Sequence, residues 1–176
     1  MDGELVTSAR ATIGGMNLRS VRPIALVVFS LLQLECNTDA AVFVAPTIES
    51  PAIDVGKVAL GTNLKGSFKL KLHLSARASG PSEVTLGTFS LKSADEKTTY
   101  AEPLPFTVDK PSSFAVAEDS DTVLTVTIDT GASLLAVSVH DTICAGGKVV
   151  LSGVMQDSLQ TTATTFASDP FDPTGC

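Results

Sequence analysis

The sequence predicts an all-β protein built as an antiparallel β-sandwich of about seven to nine short strands. Three observations carry that prediction. Beyond residue 41, apolar and polar residues alternate in one run after another, the period-2 pattern of half-buried strands. Clusters of Gly, Pro, Asn, Asp and Ser separate the runs at roughly 8–12-residue spacing. No segment sustains the 3.6-residue apolar period of a helix.

The first element is not a strand. Ile24 to Leu34 is apolar except for Ser30 and Gln33. It is shorter than the roughly 20 residues a membrane span needs, but it fits the apolar core of an export signal. Arg19 and Arg22 precede it as the positive flank, and Met16 offers an alternative start. Cys36 ends the run. Its place resembles that of the lipid-modified cysteine of bacterial lipoproteins, which implies a lipid anchor on Cys36 and a membrane as partner. Gln33 and Glu35 depart from the aliphatic and small residues usual there. A competing cleavage falls after Ala40, where Thr38 and Ala40 are small. The expected organisation is an export signal over 1–36, a sandwich over 37–168 and an irregular tail over 169–176.

In the sandwich, Ser67 to Ser75 alternates most clearly, with Phe68, Leu70, Leu72 and Leu74 opposing Lys69, Lys71 and His73. Thr122 to Thr130 sets Leu124, Val126 and Ile128 against polar neighbours, and Leu135, Val137 and Val139 oppose Ala136, Ser138 and His140. Val149 to Val154 reads as a strand, and Leu159 to Phe166 is Thr-rich and β-prone. Less regular candidates are Ala41 to Ala45, Val55 to Leu60, Val84 to Leu91, Phe106 to Val108 and Ser113 to Ala117. Breaks fall at Gly61 to Asn63, Gly80 to Ser82, Ser93 to Thr98, Asp109 to Pro111, Asp119 to Asp121, Gly131 to Ser133 and Gly146-Gly147.

Ile53 to Thr62, IDVGKVALGT, resembles the opening of Hydin-like (ASH-type, or choice-of-anchor D) immunoglobulin-like repeats: an aliphatic-Asp step, Gly, a short strand, then Gly-Thr. Phe68 to Leu74, Leu86 to Leu91, Pro105 to Val108, Thr122 to Ile128 and Val150 to Gly153 resemble the strands that follow. Val55 stands where those repeats carry an aromatic, and their Asn-x-Gly turn is missing near Ala76 to Pro81. The resemblance covers about residues 53–155. It implies an immunoglobulin-like sandwich that binds or spaces, with no catalytic residues to carry over.

Composition narrows the function. The 176 residues hold 12 basic and 19 acidic side chains, net −7. Residues 1–36 contain three of each sign, so the acidity belongs to the rest of the chain. That argues against nucleic acid as partner, because Lys and Arg supply most of such affinity. With one Tyr and no Trp, platforms for stacking bases or sugars are scarce.

Three cysteines make an odd count. With lipid on Cys36, Cys144 and Cys176 are left to pair as a disulfide in an oxidising compartment; free thiols and intermolecular pairing stay open. His140, Asp141 and Cys144 contain the residue types of a nucleophilic pair, in competition with that disulfide. His73 and His140 are expected on polar strand faces. Glu118, Asp119 and Asp121 form the densest acidic cluster and are candidates for part of a calcium shell, completed only if Asp169 and Asp172 fold back; otherwise they form a solvated turn. Lys65, Lys69 and Lys71 make a basic stripe of the kind that protects sheets from aggregation. No phosphate loop, dinucleotide fingerprint or zinc spacing is present, so no cofactor is expected. The expected function is non-enzymatic: an exported module, lipid-anchored or secreted into the periplasm of a bacterial cell envelope, that binds an unknown protein or glycan. The alternatives are a calcium- or carbohydrate-binding jelly roll, a secreted hydrolase, and a cytosolic Hydin-like module.

Overall fold

The computed structural model describes residues 42–111 and 113–176. The expected export segment, Cys36, the expected cleavage point after Ala40 and the first residue of the Ala41–Ala45 candidate lie outside the described residues.

The strands are β1 (Ala45–Val58), β2 (Gly61–Leu74), β3 (Ser82–Ser93), β4 (Thr99–Ala101), β5 (Phe106–Val108), β6 (Ser113–Val116), β7 (Ser120–Asp129), β8 (Val149–Asp157) and β9 (Thr164–Ala167). One helix, α1 (Val137–Gly146), lies between β7 and β8. One sheet runs β1-β2-β7-β5; the other runs β4-β3-β8-β9, with β6 also on β3. All of these strand pairs are antiparallel. With the short β4 and β6 set aside, the sheets read first-second-fifth-fourth and third-sixth-seventh, the strand order of an immunoglobulin-like sandwich. The expected fold class is the observed one.

The core follows from alternation. Phe68, Leu70, Leu72 and Leu74 of β2 and Leu124, Val126 and Ile128 of β7 are buried and share one cluster with Phe89 and Leu91 of β3 and Leu151 and Met155 of β8. Phe89 meets Phe68, Phe106 and Phe166 edge-on, at centroid distances of 5.3, 4.8 and 6.0 Å. These rings join the two sheets.

In β1 and β3 a bulge resets the parity of the irregular candidates. β1 buries Ile48 and then Ile53 and Val55. The even-to-odd switch falls at the register break between Glu49 and Ala52, where Ser50 has a φ of 50°. The extra residue keeps the apolar side chains inward. Pro51 sits in this break on an edge strand, where a missing N–H is tolerated. In β3 the burial passes from Val84 and Leu86 to Phe89 and Leu91 across a second break.

Three expectations need correction. The segment around Val137 and Val139 is helix α1, not a strand. Leu135 alone keeps a strand-like bridge, to Thr62. Beyond it, Val139 and Ile143 lie one turn apart on the helix face turned to the core, and Ile143 is fully buried. Alternation would have turned Val137 inward with Leu135 and Val139, yet Val137 is exposed. Second, Gly61 to Asn63 begins β2, and the turn is Ala59-Leu60, a two-residue hairpin between Val58 and Gly61. Gly61 is needed for closeness: a Cβ there would collide with the Leu135 carbonyl and the Leu134 side chain. Third, the Thr-rich stretch is mostly loop, and only Thr164–Ala167 pairs, with β8. Gln160 closes the loop by donating to Thr164 Oγ1, while Gln156 donates to the Gln160 carbonyl. The tail forms no strand or helix but is held by isolated bridges and by the Cys144–Cys176 bond. Phe171 bridges Val149, and Thr174 bridges Asp54 in parallel, so the tail runs from the β8 side of one sheet to the β1 edge of the other.

Candidate functional site

The densest group of chemically capable side chains lies where α1 meets the end of β1 and the C-terminal tail. Its foundation is Thr62 of β2, fully buried. The Thr62 hydroxyl accepts the His140 amide at 3.2 Å and donates to the Ala136 carbonyl at 3.0 Å. The helix has no side-chain cap of its own, and a strand residue accepts one amide near its start.

That placement sets His140 and Cys144, four residues apart, on one helix face. Cys144 is bonded to Cys176, with Cα atoms 5.4 Å apart. One His140 ring nitrogen lies 3.0 Å from Asp141 Oδ1 and the other 3.4 Å from the Gly175 carbonyl. The Cys144 sulfur is 3.8 Å from Nε2 and 4.0 Å from Nδ1. Lys57, at the end of β1, donates to Asp141 at 2.9 Å. The Lys57 ammonium first, and then His140, holds the Asp141 carboxyl below the usual carboxylate range. His140 is therefore not on the polar face of a strand: its side chain is only 15% exposed, between the helix and the tail.

The sulfur of Cys144 is committed to Cys176, which rules it out as a free nucleophile in this form. The expected pairing of Cys144 with Cys176 is present. The roles of Lys57, Thr62 and Gly175 had no signal in the sequence, since each depends on contacts from 35 to 84 residues away.

The acidic cluster lies elsewhere. Glu118 and Asp119 are exposed in the turn before β7, with a φ of 50° at Asp119. Asp121 pairs with Lys71 at 2.8 Å and His73 at 2.7 Å across the β2–β7 ladder. Asp172 pairs with Lys148. Among the described residues no group of three or more His, Cys, Asp or Glu is placed to hold a metal ion. The lysine stripe is interleaved with acids: Lys65 faces Asp129, Lys71 pairs with Asp121, and Lys69 lies opposite Glu49.

Asp157 was not anticipated at all. Fully buried, it accepts the Val44 amide at 2.8 Å, the Leu159 amide at 2.9 Å and the Ser82 hydroxyl. Three separate segments meet on one carboxylate. At the same end, Val42 and Phe43 are 41% and 43% exposed; Phe43 and Gln160 border two shallow depressions, one that includes Leu159 and another that includes Val42 and Thr164.

No protein-family model and no curated protein matches the chain. Among solved structures, the ASH/PapD-like domain of human CEP192 (PapD-like domain 7) is similar, at 10% identity and a TM-score of 0.30, over 93% of this chain and 99% of that one. A TM-score of that size carries no argument, and the fold assignment rests on the strand order.

Proposed function

We propose that this chain is an exported binding or scaffolding module of the bacterial cell envelope, tethered to a membrane through lipid on Cys36 and contacting a protein or glycan partner through its loops and sheet edges. The observation that carries the reading is the Cys144–Cys176 disulfide. Such bonds persist in exported proteins and are rare in reducing cytosol. The apolar run after Arg19 and Arg22 supports export. The resemblance to Hydin-like repeats, an analogy at the level of fold, supports binding over catalysis.

Mass spectrometry of the chain purified from its own cells tests this. The expected result is a mature N-terminus at Cys36 with acyl mass, and Cys144 linked to Cys176. A mature N-terminus at Ala41 would replace the anchored form with a secreted one. An uncleaved chain with free thiols would overturn export. Cross-linking on intact cells then tests binding: a defined adduct supports a module with a partner, and an unlinked monomer counts against it.

A further inference from the structure

We propose that the Cys144–Cys176 bond is an exchangeable disulfide of fixed polarity, attacked at Cys176 by a small thiol or dithiol, with Cys144 as the leaving sulfur beside His140. Opening it would release the tail from the edge of β1. The inference does not depend on export or on lipid at Cys36.

Polarity follows from the different surroundings of the two sulfurs. Cys176 is exposed, whereas Cys144 is partly buried on α1. Exchange requires an approach to one sulfur and a stabilised thiolate on the other. Cys176 offers the approach. Cys144 has the imidazole of His140 at 3.8 and 4.0 Å, so whichever ring nitrogen carries the proton is within about 4 Å of the departing charge. Asp141 holds the ring from the side, and Lys57 holds Asp141.

The step balances. The incoming thiolate forms a bond to the Cys176 sulfur, the Cys144–Cys176 bond breaks, and its electron pair stays on Cys144 as thiolate, which then takes a proton from water. With a dithiol, the second thiolate attacks its own sulfur in the mixed disulfide and expels the Cys176 thiolate. Two electrons and two protons pass to the protein, and the dithiol becomes a disulfide.

The bond fastens a strap. Thr174 accepts the Val55 amide and donates its own amide to the Ile53 carbonyl, both at 2.8 Å. Gly175 has a φ of 82°, and a Cβ there would sit 2.7 Å from the Val55 carbonyl. Thr174 thus covers the edge of β1 at Ile53–Val55, and the bond to the exposed residue Cys176 holds it there. Once released, that edge presents unpaired backbone groups to another strand.

The test treats the oxidised full chain with reduced glutathione, quenches with iodoacetamide and maps the peptides. Glutathione on Cys176 with alkyl on Cys144 is expected in about tenfold excess over the reverse arrangement. Equal labelling, or glutathione mainly on Cys144, would overturn the polarity, and this readout needs no variant. His140→Gln is expected to slow opening about tenfold; an unchanged rate removes His140 from the step. Amide exchange at Val55 and Thr174 is expected to rise at least about tenfold after reduction and alkylation, and unchanged exchange would refute release of the strap.

Discussion

Single residues carry the tightest packing in this sandwich. Gly153 of β8 lies between Phe89 and Phe166 in the β3–β8–β9 register. A Cβ there would stand 2.6 Å from the Phe166 ring and 2.7 Å from that of Phe89. Gly153→Ala should therefore lower stability by about 1–3 kcal/mol, the range for overfilling a packed core. Urea unfolding would show it as a lower midpoint with an unchanged slope. Asp157 works through satisfaction instead of volume. Replacing it with Ala strands the Val44 and Leu159 amides and the Ser82 hydroxyl, at a cost of about 3 kcal/mol. The same denaturation series checks this, and a loss under about 1 kcal/mol would mean that water replaces the carboxylate. Sequence reasoning found the glycine's strand but not its neighbours, and it missed Asp157 because an acidic residue at a strand end reads as exposed.

At the scale of elements, α1 shows tertiary contacts overriding pattern. Ten residues are too few to display a helical period, and Leu135, Val137 and Val139 mimic alternation. The helix is held by Thr62 from β2 and by the disulfide from the tail. Thr62→Val keeps the shape and removes the hydroxyl, so it should cost about 1–2 kcal/mol and loosen α1 first, which amide exchange at His140 would register. Removing the disulfide by Cys144→Ser with Cys176→Ser opens a loop of 32 residues' separation, with an expected loss of about 3–4 kcal/mol. Thermal melts of the natural chain with and without reductant should bracket the same difference. β1 is the opposite case: its two inward runs could be read separately, but the bulge that joins them into one strand could not.

For the molecule as a whole, the charges are arranged as surface pairs. Lys71 first, then His73, holds the Asp121 carboxyl below its usual 3.8, as Lys57 and His140 do for Asp141. Lys71 in turn is raised above 10.5 by Asp121. Carboxyls lowered in the fold contribute stability that is complete above their unfolded value and lost as pH falls through the folded one. A raised lysine contributes below 10.5 and loses its contribution as pH rises through its higher folded value. Urea midpoints should therefore fall below about pH 4, with a shallow slope because these pairs are exposed. Added salt should flatten the slope further; a midpoint unchanged down to about pH 2 would contradict this arrangement.

The sequence by itself determined the fold class and the inward faces of β2 and β7, and it left the pairing of Cys144 with Cys176 as one of several options. Alternation is a local signal that survives without knowledge of partners. Only the tertiary structure decided that the segment after Leu135 coils, that the tail crosses to β1, and that Thr62, His140 and Asp157 become junctions. Each of these depends on groups far apart in the chain satisfying one another's hydrogen bonds, and such pairings leave no period to read.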